Sequence, residues 1–157
     1  MRIHLIAAGT RMPAWVSVGY EDYAARLPGE CKLLLKEIPL GASRRRGGDT
    51  KKAMLEEGAK MLAAMPEGVN LTVLEVHGKP LSTEELAKRL NQWLQEGRDQ
   101  ALFIGGPDGL APDCLARAGL KWSLSPLTLP HGLVRVVVAE QLYRAWSILK
   151  NHPYHRA

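Results

Sequence analysis

The chain has 157 residues, enough for a single domain that buries roughly 70% of the surface its unfolded form would expose. Its 46% apolar and 24% charged residues, without visible repeats or low-complexity tracts, exclude a disordered or fibrous protein. Lys and Arg total 21 against 16 Asp and Glu, and the resulting charge of +5 mildly favours an anionic partner such as RNA.

Arg2 to Ala8 predicts a first strand. Its apolar run, Leu5 to Ala8, is short and lacks a cleavage-site pattern, and no apolar stretch approaches the roughly 18 residues that cross a bilayer, so a cytoplasmic protein without membrane association is expected. From Pro13 to Leu27, apolar residues at Val16, Tyr20, Tyr23 and Leu27 follow helical spacing, and Pro28 with Gly29 ends the helix. Lys32 to Ile38 predicts a second strand, followed by the glycine-punctuated loop Gly41 to Gly48 and a helix from Thr50 to Met65. That loop opens a basic run in which Arg44, Arg45, Arg46, Lys51 and Lys52 face only Asp49. It is either a solvated loop or an RNA contact.

Leu71 to Val76 predicts a third strand. The helix after it is announced by Ser82 at the N-cap, Glu85 three residues on, and Leu81 placed to pack on Leu86. Its stripe is Leu86, Leu90, Trp93 and Leu94, and Gly97 closes it. Gln100 to Ile104 predicts a fully buried strand, Gly105 to Gly109 a turn, and Pro112 to Ala118 a short helix. Lys121 to Pro130 is extended, and residues 133 to 150 form a helix whose buried face holds Val134, Val137, Val138, Gln141, Leu142, Ala145, Ile148 and Leu149. Strands alternating with helices imply an α/β domain with a parallel sheet covered on both faces. Cys31 and Cys114 have no neighbouring Cys and are expected to be packing residues.

Ligands of open parallel sheets bind beyond the carboxyl ends of the strands. Two such places stand out, Leu74 to Gly78 and Gly105-Gly106-Pro107-Asp108-Gly109. The glycines suit close approach of a ligand to backbone, and equally suit a tight strand-to-helix turn; neither a dinucleotide fingerprint nor a P-loop is present. Polar groups also gather towards the C-terminus, with His131, Arg135, Glu140 and Arg144, then Asn151 to Arg156. Glu140 and Arg144 have the spacing of a helix-surface ion pair. His152 and His155 lack the further ligands of a metal site, so no metal is expected. The tail either frays or, through Tyr154, His155 and Arg156, offers stacking and phosphate-binding groups to RNA.

Several segments together resemble the ribosomal large-subunit methyltransferase H family, the smallest of the knotted SPOUT methyltransferases. They are Ala8-Gly9-Thr10 with Met12-Pro13 and Trp15, Ile104-Gly105-Gly106-Pro107, Leu127 to His131, Val134-Arg135-Val136, Ala139 to Ala145, and Asn151 to His155. The resemblance runs through the whole chain, 1–157, as one SPOUT domain. It implies a C-terminal trefoil knot over about residues 100–150, a topology that general folding rules would discard. It implies S-adenosylmethionine as cofactor, held mainly by backbone at Leu74, Gly105, Leu124, Ser125, Pro126, Leu127, Thr128 and Leu129. The implied substrate is N3 of a pseudouridine in large-subunit ribosomal RNA on the assembled ribosome, with the enzyme acting as a homodimer whose site spans the two-fold interface.

The N3 proton must leave, and the candidate bases in order are His155, Tyr154 and His131. Arg144 and Arg135 would neutralise phosphate or position the base, with Glu140 holding Arg144. Two other readings are a non-catalytic ribosome- or RNA-binding module, and an enzyme using a different, nucleotide cofactor; the missing phosphate-binding motifs count against the second.

Overall fold

A computed structural model describes Met1 to Arg156, with Arg45 and Arg46 described by backbone alone. Its strands are β1 (Arg2–Ala8), β2 (Lys32–Ile38), β3 (Asn70–Pro80), β4 (Gln100–Ile104) and β5 (Leu120–Ser123). They pair, all parallel, in the order β2-β1-β4-β3-β5. The helices are α1 (Ala14–Ala24), α2 (Thr50–Ala64), α3 (Thr83–Glu96), α4 (Pro112–Arg117) and α5 (His131–Leu149), and a 3₁₀ turn, Pro153–Arg156, follows.

The strand periodicity of two sends alternate side chains to two apolar layers. Ile3, Leu5 and Ala7 of β1 and Leu102 and Ile104 of β4 join the layer under α1, α3 and α5. Ile6 and Ala8 of β1 and Ala101 and Phe103 of β4 join the layer under α2 and α4. With both faces covered, β4 is buried at every position, as its continuous apolar run predicts. Cys31 and Cys114 are both free and buried in these layers.

Local chemistry sets the helix ends. Ser82 Oγ accepts from the Glu85 N–H at 3.1 Å, and Asp49 caps α2 by accepting from the Lys52 N–H at 3.0 Å. Gly97 takes the left-handed conformation, φ +72°, that ends α3. α1 stops at Ala24, and the chain tightens through Leu27 N–H to Ala24 O before Pro28.

Two elements depart from the sequence expectation. The start of the segment expected to be merely extended belongs to β5, four residues paired to the outer edge of β3. β3 itself runs to Pro80, and its register with β5 jumps between Leu74 and Lys79, so that Glu75 to Gly78 bulge out of the ladder. A side chain at Gly78 would lie 2.5 Å from Lys121 O, which is why the strands can close again only over a glycine. On α5 the buried set also differs: Gly132, Arg135, Ala139, Tyr143 and Ser147 are buried beside Val138, Leu142 and Ala145, while Val137 and Gln141 are half-buried.

Candidate functional site

The ends of β3, β4 and β5 surround an open cavity of about 670 Å³. This is the size and the location expected of a small-molecule site in a parallel sheet. Three segments line it: Leu74 to His77 from β3 and its bulge, Ile104 to Leu110 after β4, and the stretch from Leu124 to His131 that leads into α5. Of the residues expected to hold the cofactor, Leu74, Gly105, Leu124, Ser125, Leu127, Thr128 and Leu129 all lie on its wall; Pro126 lies in the same segment but not on the wall. Glu75, His77 and Asp108, within the two strand-end segments picked out from the sequence, line it as well, as does Trp122, which was not singled out.

The wall is pinned from behind. Ser123 Oγ lies 2.9 Å from the Val76 carbonyl and 3.1 Å from the Ser125 carbonyl, tying the bulge to the loop before α5. The Leu127 N–H donates to Ser125 Oγ at 3.0 Å, and Leu127 itself is 71% exposed at the mouth. The glycine turn folds on itself through Gly109 N–H to Gly106 O at 3.0 Å, with Gly109 at φ +87°. A Cβ at Gly105 would meet Gly109 C at 2.7 Å, so this glycine is required by the loop's own closure.

The loop also rests on a buried carboxylate that sequence reasoning missed. Glu57 of α2 is 2% exposed, accepts from the Gly41 N–H at 2.7 Å and from Arg44 at 2.7 and 2.8 Å, and lies where a side chain on Gly106 would come within 3.1 Å. Burial pushes its carboxyl up, but Arg44 and the Gly41 amide outweigh this and hold it below the usual carboxylate range. The other edge of the Arg44 guanidinium pairs with Asp108 on the cavity wall. Arg44 is therefore tied to carboxylates rather than solvated, a correction for this one member of the basic run; Lys51 and Lys52 are exposed, and the side chains of Arg45 and Arg46 lie outside the described residues.

His131 opens α5 and reaches the cavity. Burial and the nearby Arg135 cation lower its pKa, so its imidazole is neutral and able to accept a proton at neutral pH. Arg135 does not face a ligand. It is 1% exposed, donates to Glu37 Oε2 at 2.5 Å and to the Gly9 carbonyl at 2.8 Å, and so fastens the β1–α1 turn behind His131. The expected contact of Arg135 with phosphate or base is corrected accordingly.

The remaining expected residues form a second group, away from the cavity. Glu140 Oε2 accepts from Arg144 Nε at 3.0 Å and from the Tyr154 hydroxyl at 2.7 Å. Tyr154 packs on Tyr143 with centroids 4.6 Å apart, and the Arg144 guanidinium sits 4.9 Å over its ring. The tail is thus a 3₁₀ turn folded onto α5 and not a frayed end. Burial and Glu140 raise the Tyr154 pKa, which makes the phenol a donor at neutral pH and not a base. His155 is half-buried, and its Nδ1 is buried without a hydrogen-bond partner. Glu140 lies nine positions along α5 from His131, about 13 Å at 1.5 Å per residue, so one chain holds the two groups well apart.

The family model described as "Predicted SPOUT methyltransferase" matches residues 1–155. This chain belongs to the SPOUT methyltransferase family. Among curated proteins, it is 56% identical over 156 residues to a ribosomal RNA large subunit methyltransferase H of Thioalkalivibrio sulfidiphilus, covering 99% of each chain. It is 58% identical over 157 residues to the protein of the same name from Alkalilimnicola ehrlichii, covering all of both. Among solved structures, "a probable methylase family protein" from Haemophilus influenzae Rd KW20 superposes with a TM-score of 0.54 at 13% identity, over 97% of this chain and 67% of that one, a likeness of fold. As in other SPOUT methyltransferases, the enzyme class follows from the family. No helix of the described residues is long and apolar enough to cross a membrane.

Proposed function

We propose that this SPOUT methyltransferase binds S-adenosylmethionine in the cavity and methylates N3 of a pseudouridine in large-subunit ribosomal RNA, in the cytoplasm and on the assembled ribosome. The observation that carries the reading is the cavity itself, formed by strand-end backbone in a chain that matches curated large-subunit methyltransferases from end to end. The residues present fit the cofactor. Leu74, Val76, Leu124 and Leu129 offer apolar surface to a purine, while Glu75 supplies a carboxylate as counter-charge for a cationic ligand. When bound, S-adenosylmethionine supplies an already activated methyl group. The protein's part is alignment of the nucleophile, which is worth several kcal/mol.

In this reading His131 takes the N3 proton, because it is the one of the three candidate bases that its own chain brings to the cavity wall. The tail group of Glu140, Arg144, Tyr154 and His155 serves the RNA. Since it stands about 13 Å along α5 from His131, it completes the cavity of a second copy, as a homodimer with a site across the two-fold axis requires. Trp15 and Val18, 58% and 67% exposed on α1 beside α5, suit burial in such an interface. The knotted path over about residues 100–150 belongs to the same reading.

Titration of the protein with S-adenosylmethionine in a calorimeter, alongside sedimentation at micromolar concentration, tests it. Saturable heat and a dimer are expected. Absence of heat would leave a ribosome- or RNA-binding module without catalysis, and a monomer would separate the tail from any cavity.

A further inference from the structure

The glycine turn is anchored on one side only by its own backbone and on the other by charge. Arg44 stands between two carboxylates of different kinds: Glu57, buried inside α2, and Asp108, which is on the cavity wall and about half exposed. Glu57 is immobile, because it is buried and also accepts the Gly41 N–H. It lies directly beneath Gly106, so the helix, the arginine and the turn form one stack. A planar guanidinium can hold two carboxylates at fixed angles, which an ammonium on a flexible stem cannot.

We infer that Arg44 is a positioning residue for methyl transfer: braced by Glu57, it fixes the cofactor-facing turn Gly105–Gly109 through Asp108. The inference rests on the cavity being the S-adenosylmethionine site. It gives Arg44 a role distinct from RNA contact, and explains why a basic loop following β2 is packed against the end of β4. Without the latch, the turn is left with its internal Gly109–Gly106 hydrogen bond alone, which then opens more often, and it loses its fixed height over α2, so the cavity wall becomes variable. Cofactor binding then has to order it.

The test uses three variants of the full-length protein. Asp108→Asn removes the wall charge and leaves the Arg44–Glu57 pair intact. Arg44→Lys keeps a cation beside Glu57, and hence the fold, but cannot span both carboxylates; Arg44→Lys with Asp108→Asn closes the cycle. Binding of S-adenosylhomocysteine by calorimetry should weaken about tenfold in each single variant. The double variant should be no weaker than the singles, since both act on one link. Amide exchange at Gly109 should quicken in all three while β4 stays protected, a readout that does not depend on the ligand. Arg44→Lys binding within about twofold of wild type, additive losses in the double variant, or unchanged Gly109 exchange would each overturn the latch. Failure of the wild-type protein itself to bind S-adenosylhomocysteine would instead overturn the cavity reading, and the exchange rates would still decide the latch.

Discussion

The Tyr154 hydroxyl donates a 2.7 Å hydrogen bond to Glu140 Oε2, joining the C-terminal turn to the middle of α5. The same carboxylate oxygen is 2.9 Å from Arg144 Nη2, so one acceptor organises both a phenol and a guanidinium. Tyr154→Phe should keep the ring on Tyr143 and cost only about 1 kcal/mol, as expected for one hydrogen bond. A chain ending at Asn151 also loses the aromatic packing and should be about 1–3 kcal/mol less stable. In the proposed function the truncated protein still binds cofactor, yet loses most methyl transfer in single turnover at saturating ribosomes. A full-length rate from it would show that the turn is only packing.

Glu57→Gln should be costlier than any tail variant. It leaves Arg44 without its buried partner, and breaking such a pair costs about 3–5 kcal/mol. The folded pKa of Glu57 lies below its unfolded value, so the pair's contribution is present above about pH 4.5 and fades as pH falls through the lower folded value. Denaturant melts from pH 7 down to 3 should therefore show wild type and Glu57→Gln converging in acid. Parallel curves would mean that Glu57 is not titrating against Arg44.

Gly105→Ala should be enough to disturb the cavity. Its Cβ would meet Gly109 C at 2.7 Å and Leu110 N at 3.0 Å, backbone that cannot swing aside as a side chain would. Cofactor affinity should fall about tenfold or more while the cooperative melt persists, because the turn and not the core gives way. Unchanged affinity would show that the turn's present closure is not needed for binding.

His131 offers a pH signature. Burial and Arg135 lower its folded pKa, so the unfolded imidazole takes up a proton first; His131 weakens the fold as pH drops below about 6.5 and has no such effect above it. As the proposed base it is competent wherever it is neutral. The single-turnover rate should then hold level down to about pH 6.5 and fall only below it, and His131→Gln should remove that inflection with roughly a hundredfold of the rate. A variant that keeps the inflection would place the base elsewhere, with His155 next in line.

The parallel layers were legible because β1 and β4 carry unbroken apolar runs, and the strand-end rule then located both halves of the cavity wall, Leu74 to Gly78 and Gly105 to Gly109. β5 was not legible. It has four residues, includes the exposed Lys121, and is followed by Pro126, so it lacks the length and alternation that mark a strand. The extension of β3 was hidden by Gly78 and Pro80, which read as a turn although the first accommodates the bulge and the second ends an edge. Glu57 and Arg135 each look like solvent-facing helix charges, since their partners, Arg44 and Glu37, are brought to them only by tertiary packing across 13 and 98 positions. The folded tail was not legible for the same reason: what holds Tyr154 is Glu140 and Tyr143, side chains 14 and 11 positions back on α5.

Methyl transfer to large-subunit RNA is tested by incubating the protein with S-adenosylmethionine labelled in its methyl group and, separately, assembled ribosomes, free large subunits and naked ribosomal RNA, then mapping the label. Stoichiometric labelling of a single pseudouridine at N3, strongest on assembled ribosomes, is expected. Label spread over many nucleotides, label on protein, or no transfer to any of the three substrates would contradict it.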